Sequence, residues 1–252
     1  MNRTKSRTNF FTVVFTLITI QIGLSQTTSV SVDSFNKVIV SPHVQVTFQQ
    51  GDSETVAVES STVSVDKINI EVNGKTLRMY LDGAKEVTKS EKTNEDGYKR
   101  KKSIYKGTVV KATVTYKDFE ELSLRGEERF VCKSLLKGEK FRLKIYGESQ
   151  VYLDKVDLGA LQTTIYGESY LEIKEGSIGR QKITAYGETT VNTLGVETAS
   201  AKITAYGEGS YRLNVVENLK VTAYGEATVA YRGNPHVDRG IIIGEAKIQK
   251  IQ

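Results

Sequence analysis

Cysteine, tryptophan, proline and histidine are almost missing from this chain. Its 252 residues include one Cys, no Trp, two Pro and two His. A single thiol, Cys132, cannot close an internal disulfide, so no cystine framework holds the fold. His43 and His236 lie far apart in sequence, and no HExxH, CxxC, nucleophile-elbow or phosphate-loop motif accompanies them. The few prolines permit long unbroken strand ladders. No long run of apolar residues at a 3.6-residue period is present, which excludes a helical bundle. The charge excess is also small. The formal net charge is +5, but residues 1–25 hold three basic and no acidic side chains, leaving +2 for the remainder. That balance does not suit a nucleic-acid binder.

Residues 1–25 read as a secretory signal peptide. Arg3, Lys5 and Arg7 form a basic start, Phe10 to Leu24 is mostly apolar but broken by Thr and Gln, and Gly23-Leu24-Ser25 offers small residues before Gln26. The run is too short and too polar to span a bilayer comfortably. The expected product is an exported chain of residues 26–252 with no transmembrane anchor.

The phrase Tyr-Gly-Glu dominates what is present. It occurs at Tyr146-Gly147-Glu148, Tyr166-Gly167-Glu168, Tyr186-Gly187-Glu188, Tyr206-Gly207-Glu208 and Tyr224-Gly225-Glu226, with degenerate copies at Arg125-Gly126-Glu127 and Ile243-Gly244-Glu245. The glycines step by 21, 20, 20, 20, 18 and 19 residues. A fixed period near 20 residues marks a solenoid of stacked coils. Counting from each Gly as zero, positions −4, −2 and +4 are mostly apolar or small, while the odd positions are mostly polar. Period two means strand, with even positions facing a core. The fold class is therefore all-β, a parallel solenoid with ~20-residue coils. Tyr at −1 and Glu at +1 then form two outward columns. The repeat Gly either supplies a positive φ at a corner or sits where a Cβ would not fit inside a narrow coil.

The lead-in, residues 30–83, is strand-rich. It includes Thr55 to Glu59, a turn at Gln50-Gly51-Asp52, and a hairpin through Asn73-Gly74, the type I′ signal. Alternation resumes over residues 109–124. Between them, residues 84–107 carry eight basic and four acidic side chains, among them Lys99-Arg100-Lys101-Lys102. With almost no apolar content this segment reads as a solvated loop extruded from one coil, the alternative being a polybasic patch for an anionic surface.

Phe35-Asn36-Lys37-Val38-Ile39-Val40-Ser41-Pro42-His43-Val44-Gln45-Val46, then Gln49-Gln50-Gly51-Asp52 before a Val-rich strand, then the periodic Gly phrase, together resemble the GIN-domain family, described as the head of auto-transporter adhesins. The likeness covers about residues 33–252. It implies a right-handed parallel β-helix-like fold at the surface, in the periplasm or outside the cell of a Gram-negative bacterium, and no established activity. Where the family pattern has Ser-Gly-Ser, this chain has Tyr-Gly-Glu in coil after coil.

The acids repeat with the coil instead of clustering once, which favours architecture over an enzyme site. The expectation is a non-enzymatic, adhesin-like binding module without cofactor or metal. A structural envelope scaffold and, less favoured, a carbohydrate-active β-helix enzyme are the alternatives. Partners would be an extracellular polysaccharide or a surface protein, with homo-oligomers left open. The candidate contacts are Tyr146, Tyr166, Tyr186, Tyr206 and Tyr224, whose flat faces suit sugar rings, and Glu148, Glu168, Glu188, Glu208 and Glu226, whose oxygens accept from hydroxyls. The tyrosines could instead only brace the stack. Stacked glutamates repel, and Lys144, Lys182, Lys202 and Lys220, or divalent cations, are candidates to offset them.

Overall fold

A computed structural model describes residues 28–95 and 98–252; the expected signal peptide lies outside the described residues. The chain is a β-solenoid of about six turns, with no α-helix among the described residues. The regular body comprises β11 (Arg129–Gly147), β12 (Gln150–Tyr166), β13 (Ser169–Tyr186), β14 (Thr189–Arg232) and β15 (His236–Lys250). Each coil pairs in parallel with the next. Tyr146 lies opposite Tyr166, Tyr166 opposite Tyr186, and Tyr186 opposite Tyr206. The register falls where the 20-residue period places it, because a slip of one residue would turn every core side chain outward.

The parity holds along the body. Leu143, Ile183, Ile203 and Val221 are fully buried, as are Phe130, Val151, Leu171 and Val191, while Lys182 and Lys202 are exposed. At −2 the side chains shrink from Ile145 and Ile165 to Ala185, Ala205 and Ala223. Tyr211 brings bulk at +4 of the Gly207 coil, its hydroxyl buried without a partner among the described residues. Gly209 answers it, since a Cβ there would stand 2.6 Å from the Tyr211 ring.

The N-terminal part builds a cap. β2 (Lys37–Val40) continues one wall, pairing in parallel with β10 (Glu121–Gly126) and with β6 (Thr76–Leu81). β3 (Val44–Gln50) continues another, pairing in parallel with β9 (Val110–Tyr116) and β11. Both walls then reverse direction. β5 (Ile68–Asn73) closes on β6, and β4 (Thr55–Ser61) closes on β9 with β1 (Thr28–Ser31) beyond it, all antiparallel. The β5–β6 turn differs from expectation by one residue. Asn73 pairs with Thr76, so the two loop residues are Gly74 and Lys75, and only Gly74 has a positive φ, 61°. That is the type II′ pattern with Gly first, not type I′ on Asn-Gly.

The basic segment carries strands that the sequence did not indicate. Within it lies a separate two-stranded antiparallel sheet, β7 (Ser90–Glu95) with β8 (Tyr98–Ser103). Its root is tied to the body. Ala84 is fully buried, the Ser41 hydroxyl donates to the Lys85 carbonyl at 2.6 Å, and Glu86 pairs with both Arg78 and Arg125. The His43 ring nitrogens lie 2.7 Å from the Thr88 hydroxyl and 2.7 Å from the Gly107 carbonyl.

Candidate functional site

The repeat glycines form a corner column; the positive-φ reading of them holds, and the crowding reading is corrected in its place. Gly147, Gly167, Gly187, Gly207 and Gly225 have φ between 104° and 128°. In that region an L side chain is strained. A Cβ on Gly187 or Gly207 would also lie 2.9 Å from the carbonyl oxygen of the repeat Gly one coil earlier. The crowding is thus between coils, not inside one. Tyr and Glu flank this corner and both point outward, as the parity of −1 and +1 requires, while the Gly between them is turned out of the core. Just past it, Ser149 and Ser169 are buried and donate to the carbonyls of Gly126 and Gly147 at 2.8 and 2.9 Å. The small hydroxyl two residues after the repeat Gly was visible in the sequence as a recurring Ser or Thr, yet nothing there showed that it serves the corner.

On one side of the corner the five tyrosines stack. Successive ring centroids are 5.3, 4.6, 4.7 and 4.9 Å apart from Tyr146 to Tyr224, with interplanar angles of 3–4°. The Arg125 guanidinium covers Tyr146 at 5.2 Å, and Ile243 lies in register beyond Tyr224. The strand spacing of about 4.8 Å imposes this stacking. Ring faces therefore meet each other, and Tyr166 and Tyr206, the most exposed, offer edges and hydroxyls outward. The ring faces are turned along the column toward one another, and not toward solvent as flat platforms.

On the other side, Glu148, Glu168, Glu188, Glu208 and Glu226 line an open groove of about 600 Å³ together with Gln150, Thr190, Ser210 and Thr228. All five glutamates are exposed, and among the described residues none makes an ion pair or a side-chain hydrogen bond. The expected lysine compensation is absent. Lys144 binds Glu121 at 2.7 Å, Lys220 binds Asp238 at 2.6 Å, and Lys182 and Lys202 form no ion pair among the described residues. Parity alone put these lysines on the outer face with the glutamates, but the Tyr column and the Gly corner separate the two. Among the described residues, no group of three or more His, Cys, Asp or Glu side chains is placed to hold a metal ion.

A second acidic position escaped the sequence reading. Glu128 occupies the place of Ser149 and Ser169 in the first coil and is 3% exposed. Burial pushes its carboxyl above the usual range, against the pull of His43 and backbone N–H groups. Cys132 is buried and its thiol is pushed up to about 11 by desolvation, an inert core position.

Comparison with known proteins gives a family. The family model described as "Putative auto-transporter adhesin, head GIN domain" matches residues 34–235. No curated protein matches the chain. Among solved structures, a "putative adhesin" from Bacteroides fragilis superposes with a TM-score of 0.74 at 16% identity, covering 89% of this chain and 96% of that one. A "putative lipid binding protein" from Parabacteroides distasonis gives 0.64 at 16% identity, covering 90% and 96%. A "putative adhesin" from Parabacteroides merdae gives 0.59 at 20% identity, covering 90% and 95%. At these identities the likeness is one of fold.

Proposed function

The chain belongs to the GIN-domain family of adhesin head domains, and from that premise we propose that it is an exported, non-enzymatic binding module of the cell surface or envelope. The observation that carries this reading is the groove past the Gly corner. Five carboxylates that no cation among the described residues neutralises stand one per coil beside hydroxyl and amide side chains. Such an array accepts hydrogen bonds from the hydroxyls of an extended polysaccharide or from the cationic side chains of a surface protein, each coil adding a weak contact and the row adding avidity. No helix among the described residues is long and apolar enough to cross a membrane.

A structural scaffold is the second reading, and the tyrosine stack favours it. Four face-to-face pairs at about 0.5–1.5 kcal/mol each would brace the coils without any ligand. One paired experiment separates the readings. Glu168, Glu188 and Glu208 are changed together to Gln, and in a second protein Tyr166, Tyr186 and Tyr206 together to Ser. Both are tested for melting and for binding to a panel of polysaccharides and surface proteins. The binding-module reading expects the Gln variant to lose its strongest panel ligand while melting holds or rises. A panel that finds no ligand for the parent protein, together with a Ser variant that melts many degrees lower, leaves the scaffold.

A further inference from the structure

The hairpin β7–β8 sorts its charges by face. In an antiparallel pair, residues directly opposite share a face, and successive residues alternate. Lys92 lies opposite Lys101, and Ser90 opposite Ser103. Lys99 is two residues from Lys101, hence on the same face. That face carries three lysines and, among the side chains described, no carboxylate. The other face holds Glu91 opposite Lys102, and Thr93 opposite Arg100. Lys92, Lys99 and Lys101 are exposed, and none of the three forms an ion pair among the described residues.

This arrangement is unfavourable for a free hairpin. Like charges directly opposite each other destabilise a strand pair, and an isolated two-stranded hairpin is marginal in water. Yet the root is held firmly. The Lys89 amide donates to the Gly83 carbonyl at 2.8 Å and the Ile104 amide to the Lys89 carbonyl at 3.1 Å. The Tyr105 hydroxyl donates to the Asp82 carbonyl at 3.0 Å. An anchored root thus presents a strip of like charge two strands wide.

We propose that the Lys92–Lys99–Lys101 face is a binding site for a linear anionic polysaccharide, one bearing a carboxylate or sulfate along its length. Lysines two apart on a strand stand about 6.8 Å apart and those on facing strands about 5 Å apart, a narrow track that follows a chain of regularly spaced anions. A lipid surface is the poorer fit. The lysine face holds Ser90, Lys92, Asn94, Lys99, Lys101 and Ser103, with no apolar residue to enter an acyl layer. The strip is separate from the glutamate groove, whose charge would repel the same polymer, so the two sites select ligands of opposite character.

The test uses the mature chain and sodium polygalacturonate as probe, with neutral dextran and vesicles of anionic phospholipid as the other arms, at low and at physiological salt. Binding to polygalacturonate that weakens steeply with salt, at least a tenfold loss in a protein carrying Lys92→Gln, Lys99→Gln and Lys101→Gln, and a loss of no more than about threefold with Arg100→Gln and Lys102→Gln together are the expected results. Circular dichroism of each variant checks that the solenoid is intact. Glu168→Gln with Glu188→Gln leaves polygalacturonate binding in place, which keeps this site distinct from the groove. No binding to polygalacturonate, equal losses from the two faces, or vesicles bound as tightly as the polymer would each overturn the proposal.

Discussion

At the scale of single residues, backbone contact between coils constrains this protein as well as side-chain packing. The repeat glycines need both a positive φ and an absent Cβ, so two costs combine at one site. Gly167→Ala is expected to lower stability by at least ~2 kcal/mol, several degrees in Tm, whereas Gly138→Ala, where a Cβ meets nothing within 4 Å, is expected to move it little. Thermal melts of the two variants check the contrast, and equal shifts would refute the corner assignment. Glu128 makes a different prediction. Its carboxyl is harder to ionise in the folded chain than in the unfolded one, so the native state holds the proton longer and stability falls as pH rises through the raised value. Gln mimics the protonated form. Glu128→Gln should therefore melt higher than the parent at pH 7, with the gap closing below about pH 4, where both states of the parent are protonated. A gap independent of pH would show that packing, not charge, sets the difference.

At the scale of elements, the hairpin is an appendage with a structural root. Lys89 and Ile104 already sit side by side through a backbone hydrogen bond, so residues 90–103 can be replaced by a short Gly-containing turn. The expected outcome is an unchanged β signal by circular dichroism and a Tm within about 2 °C, because shortening a surface loop changes closure entropy little. Excising 84–107 instead removes buried Ala84 and the Glu86 partner of Arg78 and Arg125, and should cost several degrees. The difference between the two deletions also shows what the sequence could and could not convey. The solenoid, its phase and the inward residues were legible, because seven phased copies at steps of 18 to 21 residues leave one consistent register. The hairpin was not, because strands without apolar alternation look like loop, and their pairing shows only in backbone hydrogen bonds. The β5–β6 turn slipped by one residue because Asn73-Gly74 and Gly74-Lys75 both satisfy the need for a Gly. The Tyr and Glu columns were legible as columns. That the ring faces would be turned along the stack, and that a corner would isolate the glutamates from the lysines, follows from three-dimensional placement that parity alone cannot supply.

At the scale of the whole molecule, two long columns act in opposite senses on one stack. Adjacent ionised glutamates ~5 Å apart repel by about 0.8 kcal/mol in water, and salt screens this. Glu188 has a neighbour above and below, so Glu188→Gln should raise Tm by a few degrees at low ionic strength and by almost nothing in 1 M NaCl. A rise that persists in high salt would point to a source other than charge. The tyrosine stack, in turn, joins the basic appendage to the body, since Tyr146 meets Arg125, Arg125 pairs with Glu86, and Glu86 lies at the hairpin root. One further consequence lies in the register itself. Because Tyr146, Tyr166, Tyr186 and Tyr206 occupy equivalent places with identical spacing, the unit from Gly167 to Tyr186 is interchangeable with its neighbour. A sixty-nucleotide in-frame duplication would lengthen the molecule by one layer, about 4.8 Å, without disturbing the N-terminal cap. Length in this architecture is thus a quantity that unequal recombination can dial in whole steps, each step adding one new interface, that of a unit against its own copy in the same register.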